Sequence, residues 1–297
     1  MKSIKWILLA PIILLMTQCD YNEQSLELDD EIKLVDALLF NSKAKIPHHW
    51  IFVDNRPASN YLDGHIPNAV NIWRDEMSDS LGIMLSKEML ESILGGKGLS
   101  SSSKLILYDD HGAAETARFW WVMQANGFEN IHILNGGFES WKQLNLPVTN
   151  VPIKRDVQQF KFPLPSNNDL SVDFQYIVNH LKDSSIVLID TRTAEEYNGT
   201  VLKNGAKRAG NIPGSIHIDY TESVGQADGQ GKKLLTATEL RALFESHGIF
   251  PNDTIITYCH SGARSAQTTF ILSQILKYPH VKNYDGSWVE WSRKTPL

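Results

Sequence analysis

The sequence predicts an α/β fold in two tandem copies, each with a mainly parallel sheet flanked by helices. Short apolar, β-branched runs give the first reason. Ile51-Phe52-Val53, Ile186-Val187-Leu188-Ile189 and Ile255-Ile256 read as buried strands, with segments at helical spacing between them. Such alternation argues for a parallel sheet whose ligands lie beyond the carboxyl ends of its strands. The second reason is repetition. Asp54 to Asp190 and Tyr61 to Tyr197 are shifts of 136; Gly64 to Gly210, Ile66 to Ile212 and Pro67 to Pro213 are shifts of 146. Tyr108 to Tyr258, Gly136 to Gly286 and Trp141 to Trp291 are shifts of 150. Offsets that hold steady between steps mean internal duplication, and the second copy carries ten extra residues around Thr200 to Lys207.

The chain opens with Lys2 and Lys5 ahead of an apolar run, Trp6 to Met16, too short to span a bilayer and suited to a signal peptide. Leu15-Met16-Thr17-Gln18-Cys19 resembles a bacterial lipoprotein signal ending at its lipidated cysteine, although Gln18 stands where a small residue is usual. That resemblance implies an exported protein held by a lipid on Cys19 at the periplasmic face of a bacterial membrane; a soluble periplasmic protein is the alternative. Residues 1–19 are thus the expected signal and the polar, acidic stretch 20–30 a tether. A first domain is expected over 31–148, beginning with a helix from Ile32 whose apolar face holds Leu34, Val35, Leu38 and Leu39. Residues 149–172, with Pro152, Pro163 and Pro165 among polar neighbours, read as linker, and 173–297 as the second domain.

Bulk composition narrows the function. With 297 residues, 42% hydrophobic and 21% charged, each copy can bury a core of its own. A net charge of -6 without a compact basic stripe argues against nucleic acid as a partner. Cys19 and Cys259 are the two cysteines, so no disulfide framework is expected. No C-x-x-C or H-E-x-x-H pattern occurs, and neither a metal nor a cofactor is expected.

The chemistry gathers at Thr257-Tyr258-Cys259-His260-Ser261-Gly262-Ala263-Arg264-Ser265. The strand Ile255-Ile256 precedes it, and Ser265 to Leu276 follows at helical spacing. A strand–loop–helix turn aims backbone N–H groups and the positive end of the helix inward, which favours an ionised thiol. A buried structural thiol is the bland alternative for Cys259. Four residues separate Cys259 from Arg264, one fewer than in the phosphate-holding Cys-x5-Arg loops of tyrosine phosphatases. The smaller ring better suits the outer sulfur of a persulfide. A thiol-redox protein would bring a second, resolving cysteine.

This loop resembles the active-site loop of the rhodanese sulfurtransferases, and Tyr284 to Trp291 resembles that family's closing segment. Gly64-His65-Ile66-Pro67-Asn68-Ala69 and Gly210-Asn211-Ile212-Pro213-Gly214-Ser215 resemble its Gly-His-Ile-Pro-Gly-Ala turn. The resemblance implies that Cys259 carries sulfur as a persulfide from thiosulfate, or alternatively 3-mercaptopyruvate, to a thiol or cyanide. The backbone of His260, Ser261, Gly262, Ala263 and Arg264 would cradle it. Arg192 is expected to face the donor's anionic end, with Asp190 in a supporting role that orients loop amides. Arg264 either faces the donor or braces the loop against a carboxylate. His260 and Ser261 would line the mouth, and Lys207 and Arg208 could add positive potential or form a solvated pair. Asp109 stands at the cysteine position of the first copy, which implies an inactive first domain; a hydrolytic pair of Asp109 with His111 is the other reading. Mercaptopyruvate enzymes of the family add a second arginine after the Asp-x-Arg turn, where this chain has Glu195-Glu196, so thiosulfate is the expected donor. A sulfur carrier without turnover is the alternative from another class.

Overall fold

The computed structural model describes residues 28, 33–40, 50–163, 168–226 and 231–295, so the signal, with Cys19, and all of the tether but Leu28 lie outside the described residues. In the first domain the strands are β1 (Leu34–Asp36), β2 (Trp50–Asp54), β3 (Val70–Asn71), β4 (Lys104–Tyr108) and β5 (Ile131–Asn135). Its helices are α1 (Ala58–Asp63), α2 (Lys87–Gly96), α3 (Ala114–Ala125) and α4 (Gly137–Gln143). The second repeats the plan with β6 (Ser171–Val172), β7 (Ile186–Asp190), β8 (Ile216–His217), β9 (Thr254–Tyr258) and β10 (Val281–Tyr284). Its helices are α5 (Phe174–His180), α6 (Ala194–Tyr197), α7 (Ala237–Ser246), α8 (Ala263–Phe270) and α9 (Ser287–Lys294). The sheet orders are β1-β5-β4-β2-β3 and β6-β10-β9-β7-β8, and every named pairing is parallel. The two orders superimpose strand for strand, as duplication requires.

Both faces of each sheet are covered, so the central strands are mostly apolar and their side chains alternate between the two faces. Ile51, Val53, Leu105 and Leu107 face a core shared by the two domains, whereas Phe52, Ile106 and Tyr108 face an outer core with Trp141. In the second sheet Ile189 and Ile255 face the shared core, and Leu188, Ile256 and Tyr258 the outer one. Helices α3 and α8 fill the middle layer. From Thr116 to Ala125 every residue of α3 is buried, the pattern of a helix packed on all sides. Trp120 meets Phe270 edge to face at 5.1 Å across the domain boundary. Arg118, 3% exposed, donates to Asp285 at 2.5 Å and to the Gly82 carbonyl at 2.9 Å. Gln267 donates to the Gly112 carbonyl at 2.5 Å.

Three local expectations change. Residues 34–36 form a strand and 37–40 a 3-10 turn, not a helix, leaving Leu38 and Leu39 62% and 42% exposed. The edge of β5 offers unpaired backbone groups, and pairing of Leu34 opposite Ile133 satisfies them. The linker is shorter than its composition suggests, because Ser171–Val172 joins the second sheet beside β10. Before that it lies along the first domain: Phe160 and Phe162 are buried, Gln158 N–H donates to the Gly95 carbonyl at 3.0 Å, and Lys161 pairs with Glu91 at 2.5 Å. The helix after the cysteine loop begins at Ala263 and widens into a π turn over Ile271–Ile275. Hydroxyls of Thr269 and Ser273 bond carbonyls four residues back, at Ser265 and Thr269, a pattern that loosens helices.

Candidate active site

The cysteine loop joins β9 to α8 at the carboxyl end of the second sheet. Gly262 has φ +83, where a Cβ would lie 2.6 Å from the Arg118 guanidinium, so glycine suits both the turn and its neighbour. The turn brings the Gly262 N–H to 3.1 Å from the Cys259 sulfur. Cys259 N–H donates to the Ser287 hydroxyl at 3.2 Å, and the Trp288 and Val289 amides donate to the carbonyls of Cys259 and His260, each at 3.0 Å. The closing segment thus stitches the loop into place. Cys259 is 1% exposed and lies in the wall of a cleft of about 650 Å³ between the domains.

Electrostatics favour a thiolate there. Burial alone would push the Cys259 thiol up, but the Arg264 charge and hydrogen bonding from Ser265 and the Ser261 amide outweigh it and hold the thiol below its ordinary value. Arg264 pairs with Glu196 through two bonds, 2.6 and 2.9 Å, and also lines the cleft, so it braces the loop while keeping its charge beside the sulfur. Burial would raise the Glu196 carboxyl, yet the Arg264 pair and nearby Lys203 hold it at about 2. His260 donates from Nε2 to the Asn204 carbonyl at 2.9 Å, and burial, with Lys203 and Arg264 close by, holds its imidazole at about 4. It is therefore neutral at pH 7. Ser261 and Ala263 line the same cleft.

Arg192 does not face the cleft. It is 1% exposed, with its guanidinium on Asp190 at 2.6 Å, on the Gly210 carbonyl at 2.8 Å and over the Trp288 ring at 4.7 Å. The acid two residues earlier lies on the same side of the turn and takes the fork before any donor could. Asp190 plays its expected supporting role within its own turn, accepting from the Arg192 backbone amide at 3.0 Å and from the Arg192 guanidinium. Arg56 and Asp54 repeat the arrangement in the first domain at 2.6 Å. Lys207 and Arg208 lie away from the cleft. The Lys207 amide donates to Ser292, and Arg208 bonds Thr295 and sits over Trp288.

At the equivalent turn of the first domain, the Asp109 carboxyl accepts from the amides of His111, Ala113, Glu115 and Thr116 at 3.0–3.2 Å. Burial pushes that carboxyl up and the amides pull it down. His111 pairs with Asp110 instead, so Asp109 and His111 do not form a hydrolytic pair. Sequence reasoning missed Lys203, Arg74, Glu115 and Tyr220, all in the cleft wall. Lys203 had a signal, the ten-residue insertion that holds it. Arg74 and Glu115, paired at 3.0 Å, come from the first domain, and no spacing in the sequence announces their approach.

The family model for the rhodanese-like domain matches residues 34–144 and 173–294. The chain is a member of the rhodanese family. A sulfur carrier protein of Thermus thermophilus is 33% identical to this rhodanese over 242 residues, 78% of this chain and 83% of that one. The thiosulfate sulfurtransferase of Pseudomonas aeruginosa is 30% identical over 81% of this chain and 87% of its own. The 3-mercaptopyruvate sulfurtransferase of Escherichia coli is 29% identical over 91% and 92%. Among solved structures, the anaerobic ergothioneine biosynthesis enzyme of Chlorobium limicola, in complex with trimethyl histidine, gives a TM-score of 0.76. It is 23% identical, covers 89% of this rhodanese and 69% of its own chain, and attests the fold. Sulfur transfer is the activity of this rhodanese, and its relatives span both donor classes.

Two predictions follow from the buried charges. Arg192→Ala leaves the buried Asp190 carboxyl without its partner, which should cost about 3–5 kcal/mol of stability. Urea denaturation checks this, and a midpoint within error of the native protein would refute the structural role. For His260, the folded value of about 4 lies below the free side chain's 6.5, so the unfolded chain binds its proton first as pH falls. Stability attributable to neutral His260 is therefore full above pH 6.5 and declines as pH drops toward 4. His260→Gln should flatten this decline when urea midpoints at pH 7 and pH 5 are compared.

Proposed function

We propose that Cys259 is the nucleophile of this sulfurtransferase and that thiosulfate is its donor. The thiolate attacks the donor's outer sulfur; a Cys259 S–S bond forms as the donor's own S–S bond breaks, and sulfite leaves with the electron pair. A thiolate or cyanide acceptor then bonds to the outer sulfur, and the persulfide S–S bond breaks to restore the Cys259 thiolate. The observation that carries this reading is the Cys259 sulfur in the wall of the interdomain cleft, with the Gly262 N–H at 3.1 Å and the Arg264 charge lowering its pKa. Amides held in advance around a developing negative sulfur do the work of an oxyanion hole. Thiosulfate is favoured over 3-mercaptopyruvate because Glu195 and Glu196 stand where a second arginine would grip a carboxylate, and Glu196 closes on Arg264. The likeness to a sulfur carrier favours a second reading, in which the same persulfide forms without rapid turnover.

Intact-mass analysis separates these outcomes. Thiosulfate should add about 32 Da, one sulfur atom, to the native protein and none to Cys259→Ser, and cyanide should remove it. Uptake by the serine variant would overturn the assignment. Loading that cyanide discharges over many cycles marks the enzyme, and loading that persists marks the carrier. We further propose, from Lys2, Lys5, the apolar run and Met16-Thr17-Gln18-Cys19, that the chain is exported and held at the membrane by a lipid on Cys19. Cys19→Ala should then leave the membrane fraction or remain unprocessed; membrane association at the normal mature mass would exclude the lipid.

A further inference from the structure

We propose that Lys203, carried by the segment inserted in the second repeat, binds the anionic end of the sulfur donor and so sets the enzyme's preference for anions. The inference deepens the reading of Cys259 as nucleophile and rests on it. Four other side chains that carry or can take up a positive charge line the cleft, and each is already engaged or uncharged. Arg264 is held by Glu196 at 2.6 and 2.9 Å, Arg74 by Glu115 at 3.0 Å, and His111 by Asp110. His260 is a buried neutral imidazole tied to the Asn204 carbonyl. Arg192, the arginine that the sequence offers for this task, is closed off on Asp190. Among the described residues the Lys203 ammonium has no hydrogen-bond or ion-pair partner, although its residue lines the cleft.

The insertion is built to hold it there. Asn204 takes the His260 hydrogen bond, Arg293 donates to the Gly205 carbonyl at 3.0 Å, and the Lys207 amide donates to Ser292 at 3.0 Å. The segment is thereby pinned to the cysteine loop at one end and to α9 at the other. Burial and the neighbouring Arg264 charge hold the Lys203 ammonium below the usual lysine range, while Cys259 and Glu196 pull it upward. An anion entering the cleft relieves that repulsion. In the transfer step, sulfite departs with the electron pair of the donor S–S bond, and the ammonium meets the same anionic end in the bound donor and in the transition state.

Alkylation of Cys259 by iodoacetate and by iodoacetamide isolates the effect, since the two reagents share one displacement of iodide and differ in charge. Their rate ratio also cancels any change in thiolate fraction. In the full chain, Lys203→Met should lower the iodoacetate-to-iodoacetamide ratio by about 10-fold or more and slow persulfide formation from thiosulfate by about 10- to 100-fold, chiefly through KM. Lys203→Arg should restore most of both. An unchanged ratio in Lys203→Met, with the thermal midpoint of the native protein, would overturn the proposal. A lowered ratio in a protein that thiosulfate never loads would sustain the anion site and reject thiosulfate as the donor.

Discussion

A turn that points several backbone N–H groups at one spot must have an acceptor there, and both halves of this protein are arranged around that demand. In the first domain the Asp109 carboxyl meets it with four amide bonds. In the second the acceptor is the Cys259 sulfur, with the Gly262 amide at 3.1 Å. Unpaired buried amides are costly, so the ring stabilises whatever negative group occupies it. The rest of the fold keeps the ring rigid. Asp190 and Arg192 lock the neighbouring strand end, Glu196 and Arg264 close the loop, and Ser287 and Trp288 tie it to the last helix.

Duplication supplies the second wall of the site. Helices α3 and α8 pack against each other in the shared core, which sets their amino ends at a common cleft. Arg118 spans the boundary, donating to Gly82 in its own domain and to Asp285 in the other. Asp285 also accepts from the Met84 amide at 3.0 Å. The first domain, with Asp109 at the cysteine position, thus contributes Arg74 and Glu115 to the cleft wall.

Much of this was legible in the sequence, for identifiable reasons. Offsets of 136, 146 and 150 survive because duplicated strands keep their turns, and Ile51 to Val53 and Ile186 to Ile189 show the unbroken apolar pattern of doubly covered strands. The Cys259 loop was legible because strand, glycine and arginine lie within a few residues of one another. Leu34 and Val35 misled because two apolar residues before a polar one fit either a helix or an edge strand. Arg192 misled because side-chain direction is decided by competition, and Asp190, two residues away in the same turn, holds its guanidinium at 2.6 Å. Lys203 was overlooked beside Lys207 and Arg208 because only the anchoring of the insertion on α9 determines which of the three cations reaches the cleft.

Asp109 has a meaning beyond the loss of a cysteine. Counted outward from Cβ, an aspartate places an oxygen at the same number of bonds as a cysteine persulfide would place its outer sulfur. The first domain therefore carries a permanent carbon-and-oxygen likeness of a cysteine persulfide, inside the same polypeptide. Carried forward by one repeat, its bonds correspond to the amides of residues 261, 263 and 265 around the Cys259 sulfur, while the Ala266 amide is taken by the Gly262 carbonyl at 3.2 Å. The first domain thus shows, in its own carboxylate, the charge and reach that such a turn is shaped to accept.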